Sequence, residues 1–232
     1  MAGQLPLALA RPRRHRLDLF QPGAAGREAW EAVQAVLAGE ARFAYLWGES
    51  GSGKTHLLEG AAGALEGTYL DLGAMRSEVA SAGLDPEAVL GPGVEPRLVA
   101  LDRLEAVAGD PAWEAAVFHL YNLVNEEGGR LLAAATANPN SLGLVREELR
   151  TRLLWGGSFH LGRLTDAERQ EALRGHAEMR GLELREDVAK FLLRRYSRNM
   201  HRLVAAIEQL DEAALAEGRR LTVPFVKARL GL

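Results

Sequence analysis

An α/β fold with a parallel five-stranded sheet, followed by a small all-helical domain, is what this 232-residue chain predicts. Five short apolar runs, at residues 42–47, 68–72, 97–101, 130–135 and 158–161, alternate with stretches of helical periodicity. After Leu161 the strand pattern stops and only helical spacing remains. The third observation is local. Between the first run and its helix, residues 48–55 read GESGSGKT, an uninterrupted G-x-x-x-x-G-K-[ST] in the strand-then-helix setting that a phosphate-binding loop requires.

Residues 1–16 mix Pro with Arg without periodicity and read as a flexible tail. A helix is predicted over 27–38, with Trp30, Val33 and Leu37 on one face. Residues 83–96 hold Pro86, the run Gly91-Pro92-Gly93 and Pro96, and read as a loop between the second and third strands. Asp110-Pro111 gives a side-chain cap followed by proline, opening a helix with Trp113, Ala116, Val117, Leu120 and Val124 along one stripe. Thr165-Asp166-Ala167-Glu168 has the form of a capping box, and its helix ends near Gly181. Further helices are expected over 185–195, from Asn199 past Leu215 with Met200, Leu203, Val204, Ile207 and Leu210 on one face, and after Thr222-Val223-Pro224. The expected division is a tail at 1–16, an α/β domain at 17–162 and a helical domain at 163–232.

With no cysteine, disulfides, thiolate metal sites and thiol catalysis are excluded. No apolar run reaches membrane-spanning length, and a cytoplasmic location is expected. The net charge of −3 is uneven. Arg11, Arg13, Arg14 and Arg16 stand in a tail without acids, leaving 24 basic against 31 acidic residues elsewhere. Such an arm could touch a DNA backbone, although four charges of this kind are more often a solvated linker.

In the phosphate loop, Gly48, Gly51 and Gly53 let backbone N–H groups turn inward, with Glu49, Ser50 and Ser52 between them. Lys54 and Thr55 would serve the phosphates and Mg²⁺, and His56 follows at the helix start. The expected ligand is a nucleoside di- or triphosphate, such as ADP or ATP. Residues 97–102, RLVALD, form an apolar strand ending in a carboxylate, and Asp102 would hold Mg²⁺ through water. Hydrolytic members of this class place a second acid next, but here Arg103 stands, which cannot accept a proton. Glu105 is two residues on and could substitute for that acid. Weak or no hydrolysis of the chain's own nucleotide follows. The strand at 130–135 ends in Thr136-Ala137-Asn138, where Thr136 or Asn138 could sense a terminal phosphate. Residues 148–156, ELRTRLLWG, carry Arg150 and Arg152 on different faces of one helix.

Together these motifs resemble the AAA+ ATPases. The order phosphate loop, LVALD, ELRTRLLWG and RNMHRL is similar to the DnaA-like family, over roughly residues 17–232. The DNA-reading helix-turn-helix domain of DnaA has no counterpart after the helical lid. Gln4, Leu5, Leu7 and Leu9 resemble the Q-L-x-L-x-L peptide that docks on the bacterial sliding clamp, and residues 222–227, TVPFVK, also match the Hda group of DnaA inactivators. The resemblance implies an adaptor whose partners are DnaA and the beta-subunit clamp of DNA polymerase III, with DNA reached indirectly through the clamp. It implies no membrane and allows a homo-oligomer. Arg152 takes the place of an arginine finger acting in trans. Aligned on the final leucine of RNMHRL, His201 replaces the usual lid arginine and Arg202 stands one residue away. A DnaA-like ATPase that loads another replication protein is the alternative. A nucleotide kinase would share the loop but needs neither the lid nor the leucine-rich peptide.

Overall fold

The computed structural model describes residues 17–91 and 94–232. The predicted tail lies outside them, with its arginines and the clamp peptide Gln4, Leu5, Leu7 and Leu9. The chain divides into two compact units, one ending at Arg163 and the other Leu164–Leu232.

In the first unit, strands β1 (Phe43–Trp47), β2 (Thr68–Asp71), β3 (Val99–Asp102), β4 (Leu131–Ala135) and β5 (Ser158–His160) pair in the order β2-β3-β4-β1-β5, all parallel. Side chains alternate between faces, so a strand covered on both sides must be apolar throughout. Each residue of β3 and β4 is accordingly buried. On one face Ala44, Leu46, Ala100, Leu132 and Ala134 share a core with α1 (Arg27–Ala38) and α2 (Lys54–Ala64). On the other, Tyr45, Val99, Leu101, Leu131 and Ala133 pack with α3 (Leu72–Ala82), α4 (Pro86–Leu90), α5 (Pro111–Glu126) and α6 (Glu147–Trp155).

Three elements depart from the sequence reading. The buried stripe of α1 is Ala29, Ala32, Val33 and Val36, because small residues allow close approach; Trp30 is only partly buried and stacks on Phe20 at 5.5 Å. The run expected to reach Leu72 stops at Asp71, whose carboxylate accepts from the Ala74 N–H at 3.0 Å and starts α3 at once. Inside the expected loop at 83–96 lies α4, capped by Asp85 accepting from the Glu87 N–H at 2.9 Å, with Pro86 in its first turn. The Asp-Pro signal that opens α5 also operates here, against a background of helix breakers.

The second unit holds α7 (Asp166–Glu178), α8 (Glu186–Arg195), α9 (Met200–Glu217) and α10 (Val223–Leu230) around Leu173, Val188, Leu192, Leu203, Ile207 and Phe225. Thr165 and Glu168 form a reciprocal capping box at α7, while Asn199 and Thr222 cap α9 and α10. No helix among the described residues is long and apolar enough to cross a membrane.

Candidate functional site

The loop 48–53 leaves β1 between β4 and β5, at the point where the strand order reverses. Ligands of open parallel sheets bind at such points. A Cβ on Gly48 would stand 2.2 Å from the Leu161 carbonyl oxygen, so a side chain is excluded there. Gly53, at φ 105°, turns the chain into α2 in a conformation open to glycine. Lys54 is 8% exposed, and its Nζ donates to the carbonyls of Gly48 (2.6 Å) and Glu49 (3.0 Å) and reaches the Ser52 hydroxyl at 3.5 Å. Burial pushes this ammonium below its ordinary pKa, opposed by the carboxylates of Glu105 and Asp102. Arg163 spans the outer side of the loop, donating to the Ser50 carbonyl and pairing with Glu49, both at 3.0 Å. The His56 ring stands edge-on to Phe20 at 5.5 Å.

Asp102 ends β3 and is 1% exposed. A carboxylate so buried needs bonded oxygens. Its Oδ2 accepts from the hydroxyls of Thr55 (2.6 Å) and Tyr69 (2.9 Å), and Oδ1 from the Arg103 N–H (2.9 Å). Burial, then the Asp102 charge, raises the Tyr69 pKa and keeps that phenol a donor. Arg103 turns away in the left-handed conformation, φ 58° and ψ 46°, and its guanidinium pairs with Asp71, Nε to Oδ1 being 2.7 Å. The 3₁₀ turn Leu104–Ala106 then swings Glu105 back, so that its Oε2 accepts from the Thr136 N–H at 3.1 Å. Thr136 thus meets Glu105 through its backbone. Asn138 is engaged structurally, its Oδ1 accepting from Asn140 N at 3.1 Å and its Nδ2 donating to the Ser158 hydroxyl at 2.9 Å.

Arg150 and Arg152 fare differently on α6. Arg150 is tied to Glu147 one turn back. The half-buried Arg152 makes no ion pair among the described residues; its guanidinium lies over the Trp155 ring at 4.0 Å and 6.0 Å from the Tyr121 ring centre. Trp155 itself is 63% exposed.

Residues 166–230 match the family model described as the lid domain of Hda. The chain is similar to domain III of the replication initiation protein DnaA from Thermotoga maritima, with 20% identity and TM-score 0.72 over 93% of this chain and 95% of that one. It also resembles AMPPCP-bound DnaA from Aquifex aeolicus, with 22% identity and TM-score 0.68 over 90% and 68% of the two chains. A RuvB variant from Thermotoga maritima follows at 18% identity and TM-score 0.63, over 94% and 72%. The C-terminal unit thus matches the Hda lid model, and the chain shares the fold of DnaA domain III.

In the second unit, which carries the lid match, His201 and Arg202 fall in the first turn of α9. The Arg202 guanidinium lies 5.8 Å from the Tyr196 ring centre, while the Arg202 backbone N–H donates to the Asn199 cap at 3.1 Å. Two contributors to the site escaped the sequence reading. Tyr69 and Arg163 approach only through strand pairing: β2 sits beside β3, and the β1–β5 register of Trp47 with His160 carries residues 161–163 past the loop. Glu105 was noted by spacing, but only the 3₁₀ turn brings it to Thr136.

Because the Arg103–Asp71 pair is about half exposed, Arg103→Ala should lower stability by no more than about 1 kcal/mol. Arg103→Gly should be about 1 kcal/mol more stable than Arg103→Ala, since glycine adopts this backbone without strain. Chemical denaturation of the two variants checks this, and an alanine variant as stable as the glycine one contradicts it.

Proposed function

We propose that this protein is a nucleotide-bound adaptor that docks on the DNA sliding clamp, the beta subunit of DNA polymerase III, and stimulates ATP hydrolysis by the initiator DnaA, preventing re-initiation of replication in the cytoplasm. The observation that carries the reading is Arg152: a guanidinium on aromatic faces, without an ion-pair partner among the described residues, on a helix whose other arginine is already paired. The Hda lid match and the DnaA-like fold support DnaA as the partner.

The loop residues fit a nucleoside phosphate with Mg²⁺. Gly48 leaves no room for a Cβ, Lys54 is already solvated by oxygens alone, and the Asp102 carboxylate is buried beside the Thr55 hydroxyl. The AMPPCP named with the Aquifex DnaA supports the same ligand class. Lys54 and the N–H groups of residues 49–54 would hold phosphate oxygens, while Thr55 and Asp102 would hold the metal, with Thr136 at the neighbouring strand end. Bound Mg²⁺ supplies charge neutralisation at those oxygens. Arg103 offers no proton acceptor and is committed to Asp71, which supports weak or no hydrolysis of the chain's own nucleotide. Arg152 instead is offered to a partner's nucleotide, where a planar guanidinium meets charge that develops during phosphoryl transfer, an effect of ~10³–10⁵ in rate. One observation favours the alternative, a DnaA-like ATPase that loads another replication protein: Glu105 faces the Thr136 N–H, and its charge acts on Lys54.

ADP should raise the melting temperature of the parent protein but not of Lys54→Ala, as binding to the folded state alone stabilises by about 2.7 kcal/mol at a hundredfold excess over Kd. An unmoved parent melting curve contradicts a working loop. Arg152→Ala should keep fold, ADP-induced stabilisation and clamp binding, yet lose nearly all stimulation of DnaA hydrolysis. Arg152→Lys should restore little, because a point charge lacks the planar fork. Arg150→Ala should retain most of the activity. Equal losses from the two alanine variants would instead mark a general basic surface.

A further inference from the structure

Glu114 lies in the first turn of α5 and is 0% exposed. A buried carboxylate is costly unless backbone or side-chain donors take the place of water. Three N–H groups do so here. Oε1 accepts from Gly109 at 2.7 Å and Val145 at 3.1 Å; Oε2 accepts from Val145 at 3.0 Å and Arg146 at 2.7 Å. Val145 and Arg146 are the residues on which α6 begins, Arg146 being its N-cap, and Arg146 makes no side-chain cap of its own. Its guanidinium lies instead 5.5 Å from the Phe118 ring centre. The start of the helix bearing Arg152 is therefore fixed by a carboxylate from another helix, at the end where negative charge is favoured. Gly109, the third donor, ends the segment that leads from Asp102 through Glu105.

We propose that Glu114 is a positioning residue for Arg152, setting the height and azimuth at which α6 presents the guanidinium. The proposal rests on the reading of Arg152 as a finger acting in trans. From N-cap to Arg152 is about 9 Å of helix at ~1.5 Å per residue, so a slip at the start moves the finger with it. A displacement of about 1 Å can cost ~10²-fold in rate.

Glu114→Gln preserves shape, but the amide nitrogen cannot accept, so the N–H groups on one oxygen lose their partner. The full-length protein labelled with 5-fluorotryptophan gives one ¹⁹F resonance for each of its four tryptophans, that of Trp155 being assigned by Trp155→Phe. In Glu114→Gln the Trp155 resonance should shift or broaden while those of Trp30 and Trp47 stay in place. Stimulation of DnaA hydrolysis at saturating protein should fall by ~10-fold or more, with ADP-induced stabilisation and the half-maximal concentration unchanged. An unmoved Trp155 resonance overturns the proposal, as does full stimulation by Glu114→Gln in an assay where Arg152→Ala is inactive. Full stimulation by Arg152→Ala overturns the finger reading, and the proposal with it, and the same assay separates the two failures. In the unsubstituted protein, the Val145 amide should exchange slowly with solvent although the residue is 61% exposed. Exchange at the rate of a free loop overturns the proposal whether or not the variant folds.

Discussion

Two carboxylates are withdrawn almost wholly from water in the first unit, and the need to bond their oxygens organises the site. Asp102 collects the hydroxyls of Thr55 and Tyr69 and the N–H of Arg103, joining α2, β2 and the turn after β3 at one point. Glu114 collects N–H groups from Gly109, Val145 and Arg146, joining the end of that same turn region to α6. Neither acid could be replaced by an apolar residue without stranding several donors, each worth about 1–3 kcal/mol.

The rest of the candidate site follows from this framework. Parallel pairing in the order β3-β4-β1 brings the strand ends at Asp102, Ala135 and Trp47 to one edge, so the loop, the Asp102 carboxylate and Thr136 become neighbours. The position after Asp102 holds a cation in place of a second acid. An acid there would suit hydrolysis; Arg103 instead swings into the left-handed region and braces the end of β2. On α6, Arg152 rests on Trp155 and Tyr121 with no ion pair among the described residues.

Much of the fold was legible because its signals are local. Strands covered on both faces must be continuous apolar runs, and helices begin at Asp-Pro, Thr-x-x-Glu and Asn caps that the structure uses as written. The glycine-rich loop between β1 and α2 was legible for the same reason. Tyr69, Arg163 and Glu114 were not, since each acts across a long span of chain through sheet register or helix packing. The short helix α4 was hidden by the prolines and glycines around it, and the stripe of α1 by the weight that large residues carry in a periodicity reading over small ones such as Ala29 and Ala32. The clamp peptide lies outside the described residues, so its role stands on the sequence pattern alone.

In the proposed function, a guanidinium is delivered to DnaA's nucleotide by a protein held on the clamp. Its most direct test is the conversion of DnaA-bound ATP to ADP in a mixture of this protein, clamp and DNA, repeated with each component withheld. The account predicts that conversion collapses to the rate of DnaA alone when the clamp is withheld, and equally when the clamp is present but Gln4, Leu5 and Leu7 are replaced by alanine. Undiminished conversion without the clamp would contradict it.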